Sequence, residues 1–267
     1  MTVRVSTLLR HGVLLTVSAL VLVPFVLMTA MAFQAPDGGA WPSLANFSRA
    51  LTVVPFGRFL LNGVLVAGVV TAVKIAVAAP CAYALAKLRF RGRDLLTLLV
   101  MVCLLVPQQV LALPLFLMLN RVGLLDSYVA LILPFAISPT AIFLFRQVFR
   151  AVPDDVVAAA RLDGLSEWAI VWRVMVPIAA PTVAAYAILS VIGRWNDLFW
   201  PSVVVTSEHL MPPALGVLFF RNDEAGDEYG PLMAAALLVV APLLIAFLVA
   251  QRRFIEGLSL GGASKST

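Results

Sequence analysis

Six stretches of about 20 apolar residues, separated by short polar segments, run through this 267-residue chain. A helix of that length crosses the hydrocarbon core of a bilayer. The six predicted spans are residues 13–33, 59–86, 95–119, 128–149, 182–205 and 230–250. Hydrophobic residues make up 62% of the chain and charged residues 12%, which leaves too little polar surface to solvate a globule. The sequence therefore predicts an all-α polytopic membrane protein with six transmembrane helices.

The basic residues predict the orientation of these spans, since short cytoplasmic loops carry an excess of lysine and arginine. If both termini are cytoplasmic, 13 of the 19 lysine and arginine residues lie inside and four lie outside. The other two, Lys74 and Arg194, lie within predicted spans. We therefore expect a multi-pass membrane protein with cytoplasmic N- and C-termini. The positive net charge of +5 is explained by this topology, and no nucleic-acid partner is predicted.

The chain divides into three predicted segments. Residues 1–58 hold the first span and an external segment, residues 59–258 hold the other five spans, and residues 259–267 form a cytoplasmic tail. Residues 150–181, between the fourth and fifth spans, are rich in charge. A charge at the bilayer centre costs about 2.5–3.5 kcal/mol on insertion scales. This charged loop must therefore lie in water or against a partner, on the predicted cytoplasmic side.

The loop has the pattern of a helix, a bend and a second helix. Pro153 stops the preceding span, Asp154 is the predicted N-cap of the first helix, and Gly164 permits a sharp bend. Ser166 is the predicted N-cap of the second helix.

The second helix carries an apolar stripe, and we expect the helix to end at Pro177 and Pro181. Its members, at i, i+3, i+4 and i+7, are Trp168, Val171, Trp172 and Met175. On periodicity alone this helix is an interfacial anchor.

The residue order suggests more than an anchor. Ala159-Ala160-Arg161-Leu162-Asp163-Gly164, followed by Pro177, resembles the EAA loop of binding-protein-dependent ABC importer permeases. Further stretches are similar to the sugar-permease branch that includes the maltose and glycerol-3-phosphate systems. These stretches are LLVPQQVLALPLFLMLNRVGLLDSYVALILP (104–134), FLFRQVFRAVPDDVV (143–157), WNDLFWP (195–201) and QRRFIEGL (251–258).

This resemblance implies a type I ABC importer permease fold, a location in the inner membrane of a bacterium, and a set of partners. The loop would act as a coupling helix that docks into a cytoplasmic ATPase. The implied partners are a second permease subunit, two ATPase subunits that use ATP and Mg²⁺, and an extracytoplasmic solute-binding protein that delivers a sugar or sugar-like solute. The implied coupling residues are Asp155, Ala159, Ala160, Arg161, Asp163, Gly164, Trp168, Trp172 and Pro177.

The loop departs from the family pattern at two positions. The first position of EAA is acidic in the family and is Ala158 here, and the residue after the glycine, commonly alanine, is Leu165. The salt bridge that the family glutamate makes with the ATPase is therefore absent, or it is made by Asp155 one turn earlier on the same face.

The chain offers no motor or catalytic machinery of its own. The segment GLSLGGASKS (257–266) has serine before Lys265, where a phosphate-binding P-loop needs glycine. His11 and His209 fall on opposite sides of the membrane in the predicted topology, which excludes a nucleophile–histidine–acid arrangement built on both. We therefore expect a non-enzymatic subunit that binds no metal or cofactor.

Polar groups inside predicted spans are candidates for the translocation path, because such groups are costly in lipid. We expect this path to be lined by Gln108, Gln109, Trp195, Asn196 and Asp197. Amides and carboxylates hydrogen-bond sugar hydroxyls, and an indole stacks on a sugar ring. The alternative is that these groups join helices to one another.

Two further alternatives concern the solute and the class of transporter. Arg194 and Asp197 are three residues apart and are expected to neutralise one another, which leaves Lys74 without a partner. A net positive cavity favours glycerol-3-phosphate or a glycerophosphodiester over a neutral oligosaccharide. Six spans also occur in secondary transporters and channel subunits, but the sequence shows no inverted repeat, and Asp197 is the only acid within a predicted span.

Overall fold

The computed structural model describes residues 2–36, 39–221 and 228–262. Within these residues the regular structure is helical and no strand occurs. The α-helices are α1 (Thr2–Ala32), α2 (Ala45–Thr52), α3 (Phe56–Lys87), α4 (Arg93–Cys103), α5 (Ala112–Arg121), α6 (Tyr128–Ile132), α7 (Pro139–Ala151), α8 (Asp154–Leu162), α9 (Glu167–Ile170), α10 (Val176–Ile178), α11 (Ala180–Trp195), α12 (Phe199–Val204), α13 (Pro213–Gly216) and α14 (Tyr229–Gly262). Short 3₁₀ segments and one π turn, Val171–Met175, lie between them.

The chain forms two compact units. The first comprises the residues up to Gly57 together with Gly216–Leu244, and the second comprises Arg58–Leu215 together with the residues from Ile245 onward. All residues of the charged loop and most of the predicted spans belong to the second unit.

Within the first unit, the side chain of Asn46 on α2 closes the end of α1. Its Nδ2 donates to the carbonyl oxygens of Met31, Ala32 and Gln34 at 3.3, 3.2 and 2.8 Å. These bonds satisfy carbonyls that have no partner within the helix. A Cβ added at Gly230 of α14 would lie 2.6 Å from the Asn46 amide, so this close approach needs glycine.

Two helices are long and apolar enough to cross a membrane by themselves. They are the 23-residue part of α1, Arg10–Ala32, and the whole of α3, Phe56–Lys87. They match the first two predicted spans. The sixth predicted span lies within α14, whose segment Tyr229–Ile245 is a shorter apolar helix.

The third, fourth and fifth predicted spans are not straight helices, which corrects the sequence-based expectation. Segment Arg93–Cys103 bends by 95° into Gln108–Arg121, and Tyr128–Phe135 bends by 42° into Pro139–Ala151. Prolines stand at both breaks, Pro107 and Pro139, and a proline lacks the N–H that would continue the preceding helix. A third bent pair joins Glu167–Ile178 to Ala180–Trp195. If each of the three bent pairs is one span, the described residues hold up to five long spans.

The fifth predicted span also differs from the structure. Helix α11 ends at Trp195, and a separate helix, α12, begins at Phe199. At its other end α11 meets the Glu167–Ile178 helix at an angle of 84°. The residues that separate α11 from α12 include Asn196 and Asp197, two of the predicted translocation residues.

The core of the second unit joins α3 and α7 to the charged loop. Small residues of α3, Ala78, Ala79 and Ala82, are fully buried and allow close approach of the neighbouring helix. Phe145 of α7 and Ile170 of α9 are also fully buried in this cluster. The packed core therefore holds the loop against the ends of two membrane helices.

Candidate coupling loop and membrane cavity

The bend of the charged loop is a Schellman motif centred on Gly164. The residue adopts φ +81°, a left-handed conformation that favours glycine. Leu165 N donates to Ala160 O at 3.1 Å, and Gly164 N donates to Arg161 O at 3.0 Å. These two bonds satisfy the last carbonyls of α8. The predicted sharp bend at Gly164 is confirmed.

The second helix of the loop begins and ends where the sequence predicts. Ser166 caps it, because its Oγ accepts a hydrogen bond from Ala169 N at 3.3 Å. The helix continues through the π turn and α10 to Ile178 and breaks at Ala179, between Pro177 and Pro181. Pro181 lies in the first turn of the next helix, α11, a position at which proline is tolerated.

The loop is tied to α3 through a polar contact at each of its helices. Glu167 accepts a hydrogen bond from Tyr83 OH at 2.5 Å. Arg161 donates to the same carboxylate through Nε at 2.7 Å and Nη2 at 3.2 Å. These donors hold the pKa of Glu167 below its usual range, with Arg161 the larger cause and Tyr83 the smaller.

The second tie involves Asp154, which is not the N-cap that the sequence suggests. Asp154 is the first residue of α8, and Pro153 occupies the N-cap position. The Asp154 carboxylate instead accepts a hydrogen bond from Lys87 Nζ at 2.5 Å. Lys87 lowers the pKa of Asp154, and its ammonium also donates to Val152 O at 2.5 Å.

The apolar stripe of the second helix is divided between two environments. Val171 and Met175 are buried in the core of the second unit, whereas Trp168 is 62% exposed and Trp172 is half-buried. The two indole rings lie edge to face with centroids 5.9 Å apart. The stripe therefore both anchors the helix and presents an aromatic surface.

The bend itself projects an exposed surface. Leu162 is 88% exposed. Leu162 is not one of the predicted coupling residues; those in exposed positions, besides Trp168, are Asp155, Ala159, Arg161, Asp163, Gly164 and Pro177. Ala160 differs from them because it is buried in the core cluster.

A cavity of about 570 Å³ lies in the second unit, where the broken helices meet. Its polar lining residues are Lys74, Gln108, Gln109, Ser138, Thr140, Arg194 and Asp197. Its aromatic lining residues are Phe135, Phe199 and Trp200. A cavity of this volume with both apolar and polar lining residues is typical of small-molecule sites, which occupy about 300–1,000 Å³.

The structure brings three of the five predicted translocation residues to this cavity. Gln108, Gln109 and Asp197 line it. Trp195 is buried elsewhere, against Gly63, where an added Cβ would lie 3.1 Å from the indole ring. Asn196 donates its amide to Ile192 O at 3.0 Å and is not among the lining residues.

Sequence reasoning missed the part that Phe135 plays in this cavity. The guanidinium carbon of Arg194 lies 3.7 Å from the centre of the Phe135 ring, a cation–π contact. Trp200 meets the same ring edge to face at 5.9 Å and donates its Nε1–H to Ala130 O at 2.9 Å. The available signal was Pro134, which precedes Phe135 in the sequence and lines the same cavity.

The ionisable groups of the cavity differ in their polar contacts. Arg194 Nη1 lies 2.9 Å from Asp197 Oδ2, which confirms the predicted pairing. Lys74 Nζ lies 3.5 Å from Ser190 Oγ. Across residues 2–36, 39–221 and 228–262, no cluster of three histidine, cysteine, aspartate or glutamate side chains suitable for a metal ion is found.

The sequence matches one protein family over most of its length. Residues 75–259 match the family described as binding-protein-dependent transport system inner membrane component. This match covers more than half of the chain. The chain belongs to this family. The predicted resemblance is thus confirmed, and the protein is an inner-membrane permease component.

Named relatives of this permease belong to carbohydrate and glycerol-3-phosphate systems. The arabinooligosaccharides transport system permease protein AraQ of Halalkalibacterium halodurans is 35% identical over 201 residues, covering 75% of this chain and 72% of that protein. The sn-glycerol-3-phosphate transport system permease protein UgpE of Yersinia pestis bv. Antiqua is 34% identical over 228 residues, covering 84% of this chain and 81% of that protein.

A solved structure shows the same fold. A chain of a bacterial ABC transporter involved in the import of the acidic polysaccharide alginate superimposes with a TM-score of 0.78 at 24% identity, covering 91% of this permease and 95% of that chain. The predicted all-α ABC importer permease fold is therefore confirmed. Family and fold together go against a secondary transporter or a channel subunit. The orientation of the termini stays a prediction.

Proposed function

We propose that this permease is one of two membrane subunits of an ATP-driven importer of a sugar or sugar-like solute. A second permease would complete the pathway, two ATPase subunits would supply the energy, and an extracytoplasmic solute-binding protein would deliver the solute. The relatives AraQ and UgpE, named for arabinooligosaccharides and sn-glycerol-3-phosphate, support this solute class. The alginate transporter offers further support, because one of its structures is a complex with an alginate pentasaccharide-bound periplasmic protein.

The observation that carries the proposal is a loop that is anchored at its base and exposed at its tip. Val171 and Met175 hold the second helix in the core, while Leu162 and Trp168 project from the bend. A surface of this kind suits docking into a cleft on an ATPase, because exposed apolar groups at the tip become buried there. ATP and Mg²⁺ would bind to that ATPase.

Movement of the docked loop would pass to the membrane helices as a rigid-body displacement. The contacts of Glu167 with Tyr83, and of Asp154 with Lys87, fasten both loop helices to α3. Closure of the two ATPases around ATP would then shift α3 together with the loop. Because Lys74 of α3 lines the cavity, the same displacement would reshape the translocation path.

The missing family glutamate has a candidate replacement. Ala158 is exposed on α8, and Asp155 is exposed one turn earlier on the same face. We expect Asp155 to make the ion pair with the ATPase that Ala158 cannot make. Loss of this pair in Asp155→Asn is expected to weaken ATPase binding, whereas Ala158→Glu is expected to strengthen it.

Purification of the tagged chain from its native membrane in mild detergent, followed by mass spectrometry, tests the assembly. An ATPase, a second permease and a solute-binding protein are expected to co-elute. The same complex in proteoliposomes is expected to take up sugar only when ATP is supplied on the ATPase side. Recovery of the chain alone, or as a homo-oligomer, would contradict the proposed importer.

A further inference from the structure

Lys74 places a cationic side chain near the middle of a membrane-spanning helix. It lies on α3, a 32-residue helix that is long and apolar enough to cross the bilayer. The residue is 9% exposed and lines the cavity of the second unit. A charge at this depth costs about 2.5–3.5 kcal/mol, so an intramembrane lysine requires either a counter-charge or a function.

The surroundings of Lys74 supply no counter-charge. Lys74 Nζ lies 3.5 Å from the Ser190 hydroxyl, and that hydroxyl also accepts a hydrogen bond from Thr71 Oγ1 at 2.9 Å. A neutral oxygen shared with a second donor solvates an ammonium only weakly. Over the part of the chain that the structure describes, no carboxylate lies within ion-pair distance of Lys74 Nζ.

The neighbouring cation, Arg194, has a carboxylate partner, whereas Lys74 has none in the described part of the chain. Arg194 pairs with Asp197 at 2.9 Å and also lies over the Phe135 ring. Asp197 is the one acidic residue among the described residues that line the cavity. Two cations and one anion leave a single positive charge, and it belongs to the Lys74 ammonium.

We propose that the transported solute carries an anionic group, a carboxylate or a phosphate, and that Lys74 binds this group during translocation. The inference rests on the proposed importer function and specifies its solute class. An anion that reaches Lys74 forms an ion pair with the ammonium, and this pair compensates for the hydration that the ammonium loses inside the membrane. Such a pair is strong in surroundings of low dielectric constant. A wholly neutral sugar would leave the ammonium without a counter-charge.

The rest of the cavity suits the uncharged part of such a solute. Gln108 and Gln109 are exposed amides at the break between α4 and α5, where they can bond hydroxyl groups. Phe199, which is exposed, and Trp200 supply aromatic surface for a sugar ring. The cavity therefore combines one anion-binding group with a carbohydrate-binding wall.

The test uses the complete transporter in proteoliposomes with ATP on the ATPase side. Uptake is measured for sn-glycerol-3-phosphate, for digalacturonate and for the neutral disaccharide galactobiose. The phosphate and uronate probes distinguish the two anionic groups, and galactobiose is the uncharged counterpart of digalacturonate. The wild-type transporter is expected to take up at least one anionic probe in preference to galactobiose.

Two variants of Lys74 and one control locate the effect. Lys74→Gln is expected to raise the half-saturating concentration of the anionic probe about tenfold or more, the loss expected for one hydrogen bond to a charged group. Lys74→Arg keeps the charge and is expected to restore most of the affinity. Arg121→Gln removes an exposed charge away from the cavity lining and is expected to behave as wild type.

Four results would overturn the inference. Uptake of galactobiose alone would exclude an anionic solute while leaving the importer function intact. Unchanged uptake of the anionic probe by Lys74→Gln would exclude Lys74 as its binding group. Failure of Lys74→Gln to assemble with the second permease would show that the ammonium pairs with that subunit instead. Absence of ATP-dependent uptake of both anionic probes would overturn the inference, whereas the proposed function itself is tested separately by the recovery of the partner subunits.

Discussion

Gly164 sets the geometry of the coupling loop through its backbone. Its φ of +81° costs an ordinary residue about 1–2 kcal/mol, yet a Cβ at this position would meet nothing within 4 Å. We expect Gly164→Asp to leave the chain inserted in the membrane and to abolish transport, because the added carboxylate lies at the proposed docking surface. Uptake in cells, with membrane content measured by immunoblot, checks this expectation.

Gly164→Asn is the matched control, since asparagine has nearly the same size, no charge and a greater tolerance of positive φ. It is expected to retain part of the transport activity. Equal loss in both variants would assign the defect to the backbone, and normal uptake by Gly164→Asp would remove the coupling role from the loop.

Asp126 is a second residue with a specific backbone role, at the connection between α5 and α6. It adopts φ +53°, and its Oδ1 accepts the backbone N–H groups of Thr206 and Ser207, both at 2.9 Å. The Ser207 hydroxyl also donates to its Oδ2. The hydrogen bonds from Ser207, and then those from Thr206, lower the pKa of Asp126 to about 2.

This depressed pKa predicts a pH dependence of stability. The folded value lies below the unfolded value of about 3.9, so the stabilisation is present above pH 4 and is lost as pH falls toward 2. Asp126→Asn removes the carboxylate and keeps the size of the side chain. The difference in melting temperature between wild type and Asp126→Asn in detergent is expected to be constant from pH 7 to about 4 and to narrow below it. A difference that grows on acidification would contradict this assignment.

At the scale of elements, α3 holds the loop through Tyr83 and Lys87. Arg161 and Glu167 are about half exposed, so their ion pair alone adds at most about 1 kcal/mol. The Tyr83 hydroxyl is buried against Glu167 and ties the loop to the helix. Tyr83→Phe is therefore expected to increase amide hydrogen exchange across residues 154–178 and to lower the solute taken up per ATP hydrolysed.

The control for this prediction is Tyr128→Phe, which also removes a phenol hydroxyl but at a different site. Tyr128 OH donates to Asn62 Oδ1 at 2.8 Å, away from the loop. Its variant is expected to leave exchange in residues 154–178 unchanged. Equal exchange in wild type and Tyr83→Phe would show that burial of Val171 and Met175 alone holds the loop.

The elements also show how far sequence reasoning reaches. Apolar length located α1 and α3, and the glycine and serine signals located the bend and the second loop helix, because these features depend on local chemistry. The breaks at residues 104–107 and 196–198 were missed, because the hydropathy of a segment does not show whether its helix axis changes direction. The apolar stripe of the second loop helix is partly buried and partly exposed because of the core formed by α3 and α7. That core cannot be read from the loop sequence.

The same distinction applies to the cavity. Polarity within spans found Gln108, Gln109 and Asp197, which line it. Trp195 and Asn196 belong to the same WNDLFWP segment as Asp197, but they lie at the end of α11 and do not line the cavity. A motif in sequence thus places residues at a helix end, and the packing around that end decides which of them reach the cavity.

At the scale of the whole permease, α3 connects the proposed ATPase-docking loop to the cavity. Lys74 and Lys87 are 13 residues apart on one helix, a distance of about 20 Å along its axis. Lys74 lines the cavity and Lys87 bonds Asp154 of the loop. A displacement at the loop would therefore reach the cavity through a continuous helix, and the proposed coupling predicts that the loop faces the cytoplasm.

The orientation of the loop is directly testable by cysteine labelling. After replacement of the free residues Cys81 and Cys103 by alanine, single cysteines are introduced as Leu162→Cys and Arg121→Cys, both at exposed positions. The positive-inside distribution predicts opposite sides for the two. A membrane-impermeant maleimide is expected to label Leu162→Cys only in inside-out vesicles and Arg121→Cys only in right-side-out vesicles. Addition of the partner ATPases should protect Leu162→Cys and leave Arg121→Cys reactive; the reverse labelling pattern would invert the topology and separate the loop from cytoplasmic ATP.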